Sequence, residues 1–415
     1  MKDIPQGVNT ADHQEGTFPT LPLHILFLAR WYPNRFDPML GLFVRNHALM
    51  ASSFATVSVV YVQPVNSNLH KTTIDYKDDQ GIRTWCVYYP ASSLQLPLIG
   101  NIWKGILYLR ANIKGIRHAI RQTGKPSLIH VHVLTRAGIP ALLLRRRYRL
   151  PLVITEHWSR YLPAVNTFRG AIRKWLTRFI VKRAAAVTTP TKNLQDAMKN
   201  FGLLNPHYSI LPNLVDTERF VPAWNKKDNA QRKIQFVHVS CFEDRSKNIS
   251  GLLRVISILA TKRNDFQCRM VGVGEDFDRL RKQAMDSGIL DHYVVFTGLL
   301  EGDQLVQAIN TADFMVIPSH FENLPVVIGE AFSCGIPVLS TDVGGISEII
   351  TRENGHMIKA HDDQSLADGI EYMLDHHKEY DANVIRKCAE QHFSKQAIVF
   401  ALKSLYLNAL KKKHG

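Results

Sequence analysis

The sequence predicts an α/β protein with two domains, each a parallel sheet with helices on both faces, and a ligand cleft between them. Short apolar runs alternate with segments of helical spacing along the chain, which is typical of βαβ units. This alternation is interrupted once, around residues 209–233, and then starts again. A length of 415 residues is enough for two or three domains.

The first domain is predicted to occupy residues 21–213, after a polar segment, residues 1–20, that we expect to be a disordered tail. Short apolar runs are interpreted as buried strands, and segments with apolar residues three and four apart as helices. The predicted strands are 23–30, 55–62, 127–134, 150–157 and 185–190. The predicted helices are 41–53, 101–122, 137–147, 169–183 and 191–202.

The second domain is predicted to occupy residues 214–393, after a proline-containing linker. We expect the helix in residues 394–415 to return to the first domain. The predicted strands are 234–240, 267–274, 293–298, 313–319 and 337–342. The predicted helices are 251–263, 277–288, 303–312, 325–335, 365–375, 382–391 and 394–411.

The net charge of +15 is concentrated in one part of the chain. Residues 101–200 contain 20 basic and 2 acidic side chains, whereas residues 1–100 and 201–415 are close to neutral. A basic patch on a near-neutral protein indicates a polyanionic partner, either a nucleic acid, a membrane surface or an acidic substrate.

The cysteines and the apolar segments indicate a cytoplasmic protein. Five cysteines occur without a C-x-x-C pair, which favours reduced thiols over disulfides or a zinc site. No apolar run approaches the roughly 18–20 residues that span a bilayer, and the first twenty residues lack the apolar core of a signal peptide.

The most informative segment is residues 319–350, where a strand, a loop and a helix carry Glu322 and Glu330. Pro325 favours a helix start, whose free N–H groups and dipole suit a phosphate. Glu330 lies in the apolar helix VVIGEAF, where a carboxylate needs hydrogen-bond donors such as sugar or ribose hydroxyls. Taken alone, such a pair is more often a solvated loop residue, Glu322, and an ordinary exposed helix residue, Glu330.

The run FENLPVVIGEAFSCGIPVLSTDVGGISEII resembles the signature of the family 4 retaining glycosyltransferases, which have the GT-B architecture of two Rossmann-like domains facing each other across a cleft. Further similar segments follow in the family order and extend the resemblance over about residues 23–400. They are WYPNRFDPMLGLFVRNHA, VITEHW, LPNLVDTERFVP and VGVGEDFDRLRKQA.

The resemblance implies roles for particular residues. Glu330 would hold the nucleotide ribose, and Glu322 would hold the donor sugar. Backbone amides near Pro325, which has no N–H of its own, would meet the diphosphate or the sugar. The remaining residues predicted to bind the donor are Gly274, Gly298, Asn323 and Leu324, together with Gly41, for which a simple turn before the helix is the alternative.

The resemblance also predicts a cationic clamp for the diphosphate. The family has an arginine directly after a strand and a lysine several residues later. Lys247 matches the lysine, but Cys241 stands where the arginine is expected. We predict that Arg245 supplies the missing guanidinium, and that Lys247 stabilises the leaving group as its negative charge develops.

In the first domain, the family resemblance implies that His157 faces the donor sugar. His157, Lys247 and Glu322 are therefore the predicted catalytic residues. Glu156 is expected to support the loop. His130 and His132 share one face of a strand, and core packing is favoured over a metal site.

No catalytic metal and no cofactor are expected. The D-x-D triplet Asp276-Phe277-Asp278 is interpreted as a helix start, where acidic residues favour the dipole.

The basic segments 101–124 and 169–184 combine cations with apolar and aromatic residues, which fits an anionic membrane surface. Packing of the apolar stripe on the sheet, with solvated cations outside, is compatible with this.

The functional hypothesis is an enzyme that transfers a sugar, with retention, from a nucleotide-sugar to a glycan or lipid-linked saccharide in bacterial surface polysaccharide or lipopolysaccharide synthesis. It would work as a peripheral protein on the inner face of the cytoplasmic membrane, with no nucleic acid as partner. The alternatives are a nucleic-acid-binding protein that uses residues 101–200, or a two-Rossmann sugar-nucleotide epimerase or phosphorylase.

Overall fold

The computed structural model of the protein describes residues 23–66, 69–92, 97–223 and 232–411. The predicted tail, residues 1–20, lies outside the described residues, as do parts of the predicted linker and of the last segment. Two sheets with helices on both faces form the described part of the chain, which confirms the predicted fold class.

The first sheet has eight strands in the described residues, in the order β3-β4-β2-β1-β5-β6-β7-β8. All neighbours pair in parallel except β3 and β4. The strands are β1 (His24–Ala29), β2 (Thr56–Val65), β3 (Thr73–Asp79), β4 (Ile82–Pro90), β5 (Leu128–His132), β6 (Leu152–Thr155), β7 (Ala186–Thr189) and β8 (Tyr208–Ile210).

The β3–β4 hairpin was not predicted from the sequence. β3 is an edge strand with a polar, mostly exposed sequence, so it lacks the apolar run that marks a buried strand. Gln80 and Gly81 connect the two strands with φ of 53° and 78°. Two successive positive φ values are what a type I′ hairpin turn requires.

The second sheet has six parallel strands in the order β11-β10-β9-β12-β13-β14. This is the doubly wound order of Rossmann-like domains. The strands are β9 (Ile234–Val239), β10 (Phe266–Val271), β11 (Val294–Gly298), β12 (Phe314–Ile317), β13 (Val338–Thr341) and β14 (Gly355–Ile358).

Helices cover both faces of each sheet, and their apolar residues bury the strands. The first domain contains α1 (Leu42–Ser52), α2 (Pro97–Thr123), α3 (Leu134–Tyr148), α4 (Ala171–Arg183) and α5 (Lys192–Asn200). The second contains α6 (Asp244–Lys247), α7 (Ile249–Ala260), α8 (Phe277–Asp286), α9 (Gly302–Thr311), α10 (Val326–Ser333), α11 (Asp363–His376) and α12 (Ala382–Phe393).

The last helix, α13 (Lys395–Lys411), returns to the first domain, as predicted. It packs against α1, and Ile398, Leu402 and Tyr406 are buried in the core of the first sheet. The Tyr406 hydroxyl lies 2.8 Å from His130 Nδ1. The final segment of the described chain therefore ties the two domains together.

Each sheet reverses its strand order once, between β1 and β5 in the first and between β9 and β12 in the second. Open α/β sheets bind ligands at such switch points, beyond the carboxyl ends of the strands. Most of the residues predicted to bind the donor lie in the loops that follow the strands or in the short helix α6, whereas Gly298 ends β11 and Glu330 lies inside α10.

Candidate active site

The loops after β9 and β12 meet at the switch point of the second sheet. Lys247, the last residue of α6, forms an ion pair with Glu322, which follows β12. The Ser319 hydroxyl donates a hydrogen bond of 3.0 Å to the same carboxylate oxygen. The residues that the family resemblance assigns to the leaving group and to the donor sugar therefore lie side by side.

The Lys247–Glu322 pair is shielded from water, since 17% and 12% of the two side chains are exposed. Burial by itself would lower the pKa of the Lys247 ammonium, but the adjacent Glu322 carboxylate outweighs burial and raises it. Lys247 therefore stays charged at neutral pH. A cation held at this position could stabilise negative charge that develops on a ligand.

A network of acidic side chains and one arginine holds the Lys247 loop in place. Asp244 donates its backbone N–H to the Asp276 carboxylate at 2.8 Å and accepts the Ser250 N–H at 2.7 Å. Arg279 bridges the two carboxylates. Asp276 directly precedes α8, as predicted for the D-x-D triplet. Its carboxylate organises the loop that carries Lys247.

Arg245 lies on α6 two residues before Lys247, and its side chain is exposed. Cys241, which occupies the position of the expected arginine, is exposed as well. The role of Arg245 in the diphosphate clamp remains a prediction.

Two of the predicted glycines lie at the ends of β10 and β11. Gly274 packs directly on the loop after β9, since a Cβ there would lie 2.5 Å from the Phe242 carbonyl oxygen. Gly298 ends β11, and its carbonyl accepts the Gly272 N–H at 2.9 Å. The turns after β9, β10 and β11 thus lie against one another at the carboxyl ends of these strands.

The loop from Glu322 to Pro325 is held against the turn after β13. Gly344 has φ 62°, and a Cβ there would lie 1.9 Å from the Glu322 carbonyl oxygen, so only glycine fits. The Gly345 N–H donates to the Asn323 carbonyl at 2.8 Å. Pro325 directly precedes α10, and Leu324 is half-buried beside it.

Glu330 lies in the middle of α10. Its Oε2 atom is buried and has no hydrogen-bond partner among the described residues. Burial raises the pKa of Glu330 to about 7. A buried, unpartnered carboxylate oxygen requires hydrogen-bond donors, and ligand hydroxyls would satisfy it.

In the first domain, His157 follows β6, and Glu156 fixes its loop. The Glu156 carboxylate accepts the backbone N–H groups of Leu134, His157 and Trp158 at 3.0–3.1 Å, and the Tyr161 hydroxyl at 3.3 Å. Burial raises the pKa of Glu156, although these donors oppose the shift. Glu156 therefore supports the loop, as expected from the sequence.

The His157 ring is enclosed by other aromatic side chains. Its centroid lies 4.4 Å from that of Phe43 and 5.7 Å from those of His47 and His132. Burial, followed by the neighbouring histidines, holds the pKa of His157 well below its usual value. The imidazole is therefore neutral at physiological pH.

Gly41 lies in the loop before α1, close to the loop that carries His157. It has φ 69°, and a Cβ there would lie 2.5 Å from the backbone of Trp31. The Trp31 ring in turn lies 5.1 Å from that of Trp158. Gly41 is therefore required for the packing of this loop, beside its predicted role near the donor.

Two side chains join the domains across the cleft. Asn323 accepts the Thr191 hydroxyl at 2.9 Å and donates to the His157 carbonyl at 3.4 Å. Glu348 accepts the backbone N–H groups of Lys192 and Asn193 at the start of α5, at 2.7 and 2.6 Å. These contacts bring His157 and the Glu322 loop to the same cleft.

Sequence reasoning missed His47, Glu348 and the side-chain role of Asn323, because each depends on a partner far away in the chain. It also missed Val133, a β-branched residue with φ 63° directly after His132. Strain of this kind is concentrated at functional sites.

Two family descriptions match the chain and together cover nearly all of residues 91–391. Residues 91–219 match Glycosyltransferase Family 4, and residues 221–391 match Glycosyl transferases group 1. The boundary between the two matches coincides with the linker between the sheets.

Among curated proteins, the chain is similar to a putative teichuronic acid biosynthesis glycosyltransferase, TuaC, of Bacillus subtilis. The two are 23% identical over 367 residues, which cover 84% of this chain and 88% of the relative.

Solved structures with the same fold include a sucrose-phosphate synthase from Thermosynechococcus elongatus, with a TM-score of 0.71 and 17% identity over 94% of this chain and 100% of the other. Anabaena Alr3699/HepE in complex with UDP has a TM-score of 0.68 and 17% identity, over 92% of this chain and 99% of the other.

Proposed function

Because the chain belongs to the GT-B glycosyltransferases of the family 4 type, we propose that it transfers a sugar from a nucleotide-sugar donor to a glycan or lipid-linked saccharide, with retention of anomeric configuration. The observation that carries this proposal is the Lys247–Glu322 pair beside helix α10, in which the Glu330 Oε2 atom is buried without a partner among the described residues.

The donor would bind with its ribose on Glu330 and its diphosphate beside Lys247. Ribose hydroxyls are neutral donors, which suits a carboxylate oxygen in a shielded position. The diphosphate gains about one further negative charge as the sugar leaves, and the Lys247 ammonium would stabilise that charge. Arg245 is the candidate for a second cation at the same group.

The donor sugar would lie between Glu322 and His157, which the Asn323 bridge holds at one cleft. Glu322 would accept its hydroxyls, and the neutral His157 would contact it from the first domain. The acceptor would attack from the face that the diphosphate leaves, and a diphosphate oxygen would take the acceptor proton. Retention at this site is supported by the family resemblance.

The acceptor is proposed to be a growing bacterial surface polysaccharide or a lipopolysaccharide. The relative from Bacillus subtilis is described as acting in teichuronic acid biosynthesis, which supports this class of acceptor.

The function is tested by a panel of nucleotide-sugars with different bases and hexoses in a thermal-shift assay. A donor at about 100 times its Kd should stabilise the folded protein by about 2.7 kcal/mol, which raises Tm by several degrees. At least one member should do so in wild type and should stabilise Glu330→Gln clearly less. A shift with duplex DNA and with no nucleotide-sugar would instead support a nucleic-acid-binding protein.

We also propose that α2, α3 and α4 form a membrane-docking face. α3 packs between α2 and α4, so the three helices form one layer. Apolar side chains project outward from it, including Ile172 at 81% and Trp175 at 63% exposure. The others on this face are Ile99, Ile102, Trp103, Ile106, Ile139 and Leu143.

The exposed side chains of helix α2 are apolar near its start and basic further along. Ile116 is buried and Ile120 is half-buried on the sheet, as the packing interpretation requires, but Ile102 and Ile106 are exposed. Beyond Ile106, basic side chains of α2 surround a groove of about 480 Å³. Its lining residues are Arg110, Ile113, Lys114, Arg117, His118 and Arg121. Apolar side chains beside cations suit the interface of an anionic bilayer. None of the described helices is both long and apolar enough to span a membrane.

Exchanging Arg110, Arg117 and Arg121 for Gln should weaken binding to phosphatidylglycerol-containing vesicles by about 100-fold, at about 1 kcal/mol per cation. Vesicle co-sedimentation measures this effect. The matched control exchanges Lys262, Arg281 and Lys387, which are exposed on the second domain, for Gln. Equal losses in both triple variants would indicate that net charge, and not this face, determines binding.

A further inference from the structure

Three histidines from separate elements converge at the floor of the cleft. His47 lies on α1, His132 ends β5 and His157 follows β6. One ring nitrogen of each lies within 4.8 Å of the others, and the ring centroids form a triangle with 5.7 Å sides. We propose that His47, His132 and His157 form a binding site for a divalent transition-metal ion such as Zn²⁺.

His47 is oriented as a metal ligand. Its Nε2 atom lies 2.9 Å from the Pro212 carbonyl oxygen and, since a carbonyl only accepts, must carry the proton. The lone pair of the neutral ring is then on Nδ1, which is buried and unpartnered among the described residues. Metal-binding histidines are commonly fixed in this way, by an N–H donated to a backbone carbonyl.

His132 and His157 have a spacing that suits one ion. Their Nδ1 and Nε2 atoms are 3.4 Å apart. Two nitrogens of a tetrahedral zinc site with Zn–N distances of about 2.0–2.1 Å are also about 3.4 Å apart. The ligand nitrogen of His47 lies within 4.8 Å of the other two, so it would have to approach them further when an ion binds.

The neighbouring His130 shows how a histidine that only packs in the core differs from the three proposed metal ligands. It is also fully buried, but both of its ring nitrogens have partners, the Tyr406 hydroxyl at 2.8 Å and the Thr155 hydroxyl at 2.6 Å. In the triangle, His47 Nδ1 is buried without a partner among the described residues, and His132 Nδ1 and His157 Nε2 face each other. A metal ion would satisfy His47 Nδ1 and replace the contact between the other two nitrogens.

Three histidines leave a fourth coordination position for water or a ligand oxygen. His157 is 9% exposed, so this position would open towards the cleft. If the proposed function is correct, a bound ion would occupy the His157 ring at the donor sugar and inhibit transfer. Metal binding itself does not depend on that function.

Titration of the full-length protein with Co²⁺ tests the site. One equivalent should give the intense visible bands of tetrahedral cobalt, without the near-ultraviolet thiolate bands that cysteine ligands would add. His47→Gln and His132→Gln should each weaken binding by at least about 100-fold. His24→Gln, a buried histidine on the same sheet, is the control and should bind normally.

X-ray absorption of the wild-type protein with one equivalent of Zn²⁺ needs no substitution, so it applies even where a variant fails to fold. Three imidazole nitrogens and one oxygen, with no sulfur, are expected. Sulfur ligands, octahedral cobalt, or unchanged binding in folded His47→Gln would overturn the proposal.

Discussion

Replacing Glu322 by Gln is expected to lower sugar transfer by about 100- to 1000-fold without unfolding the protein. The neutral amide keeps the shape of the side chain but no longer pairs with Lys247 or offers two acceptor oxygens to the donor sugar. Lys247→Ala should have an effect of similar size, because the leaving diphosphate loses its cation. Steady-state transfer rates measure both changes.

The two substitutions should be non-additive, because the residues are in contact. The double variant is therefore expected to be little slower than either single variant. Lys282→Ala and Asp286→Asn form the control, since they break an exposed ion pair in the same domain. Transfer at the wild-type rate in folded Glu322→Gln and Lys247→Ala would show that the site has been placed wrongly.

Periodicity predicted the parts of the fold whose side chains are buried on a regular face. Strands such as β1 and β9 are short apolar runs, and each is found within two residues of its predicted bounds. The β3 edge strand lacked this signal, because its polar residues face water. Apolar periodicity in the sequence therefore predicts which residues are buried better than it predicts which strands pair.

The residues of the candidate site were predictable from the sequence where they lie close together in the chain. Glu322, Pro325 and Glu330 lie within nine residues, so a single strand–loop–helix unit carries all three. His47 and Glu348 were not predictable, because the partner of each comes from a distant part of the chain. Only the folded chain shows that they line the same cleft.

Glu330→Gln should raise thermal stability at alkaline pH while weakening donor binding. The folded-state pKa of Glu330 is raised from 4.5 to about 7, so its proton stabilises the fold below pH 4.5, and this contribution is lost as the pH rises through about 7. Glutamine has no proton to lose. The Tm of the variant, relative to wild type, should therefore increase between about pH 5 and about pH 8.

The donor affinity of the wild-type protein should instead increase with pH. Ribose hydroxyls donate to the ionised carboxylate, which is the minor form at about pH 6 and the major form at about pH 8 when the pKa is about 7. Wild-type affinity should therefore be about tenfold higher at about pH 8 than at about pH 6. Loss of a hydrogen bond to a charged group should weaken binding by the variant by about 10- to 100-fold at alkaline pH.

Isothermal titration calorimetry of the preferred nucleotide-sugar at these two pH values tests the account most directly. Glu301→Gln, an exposed glutamate of the same domain, is the matched control. We predict that wild type and Glu301→Gln bind about tenfold more tightly at the higher pH, and that Glu330→Gln binds weakly with no such dependence. Equal affinities for Glu330→Gln and wild type at both pH values would contradict a donor site built on this carboxylate.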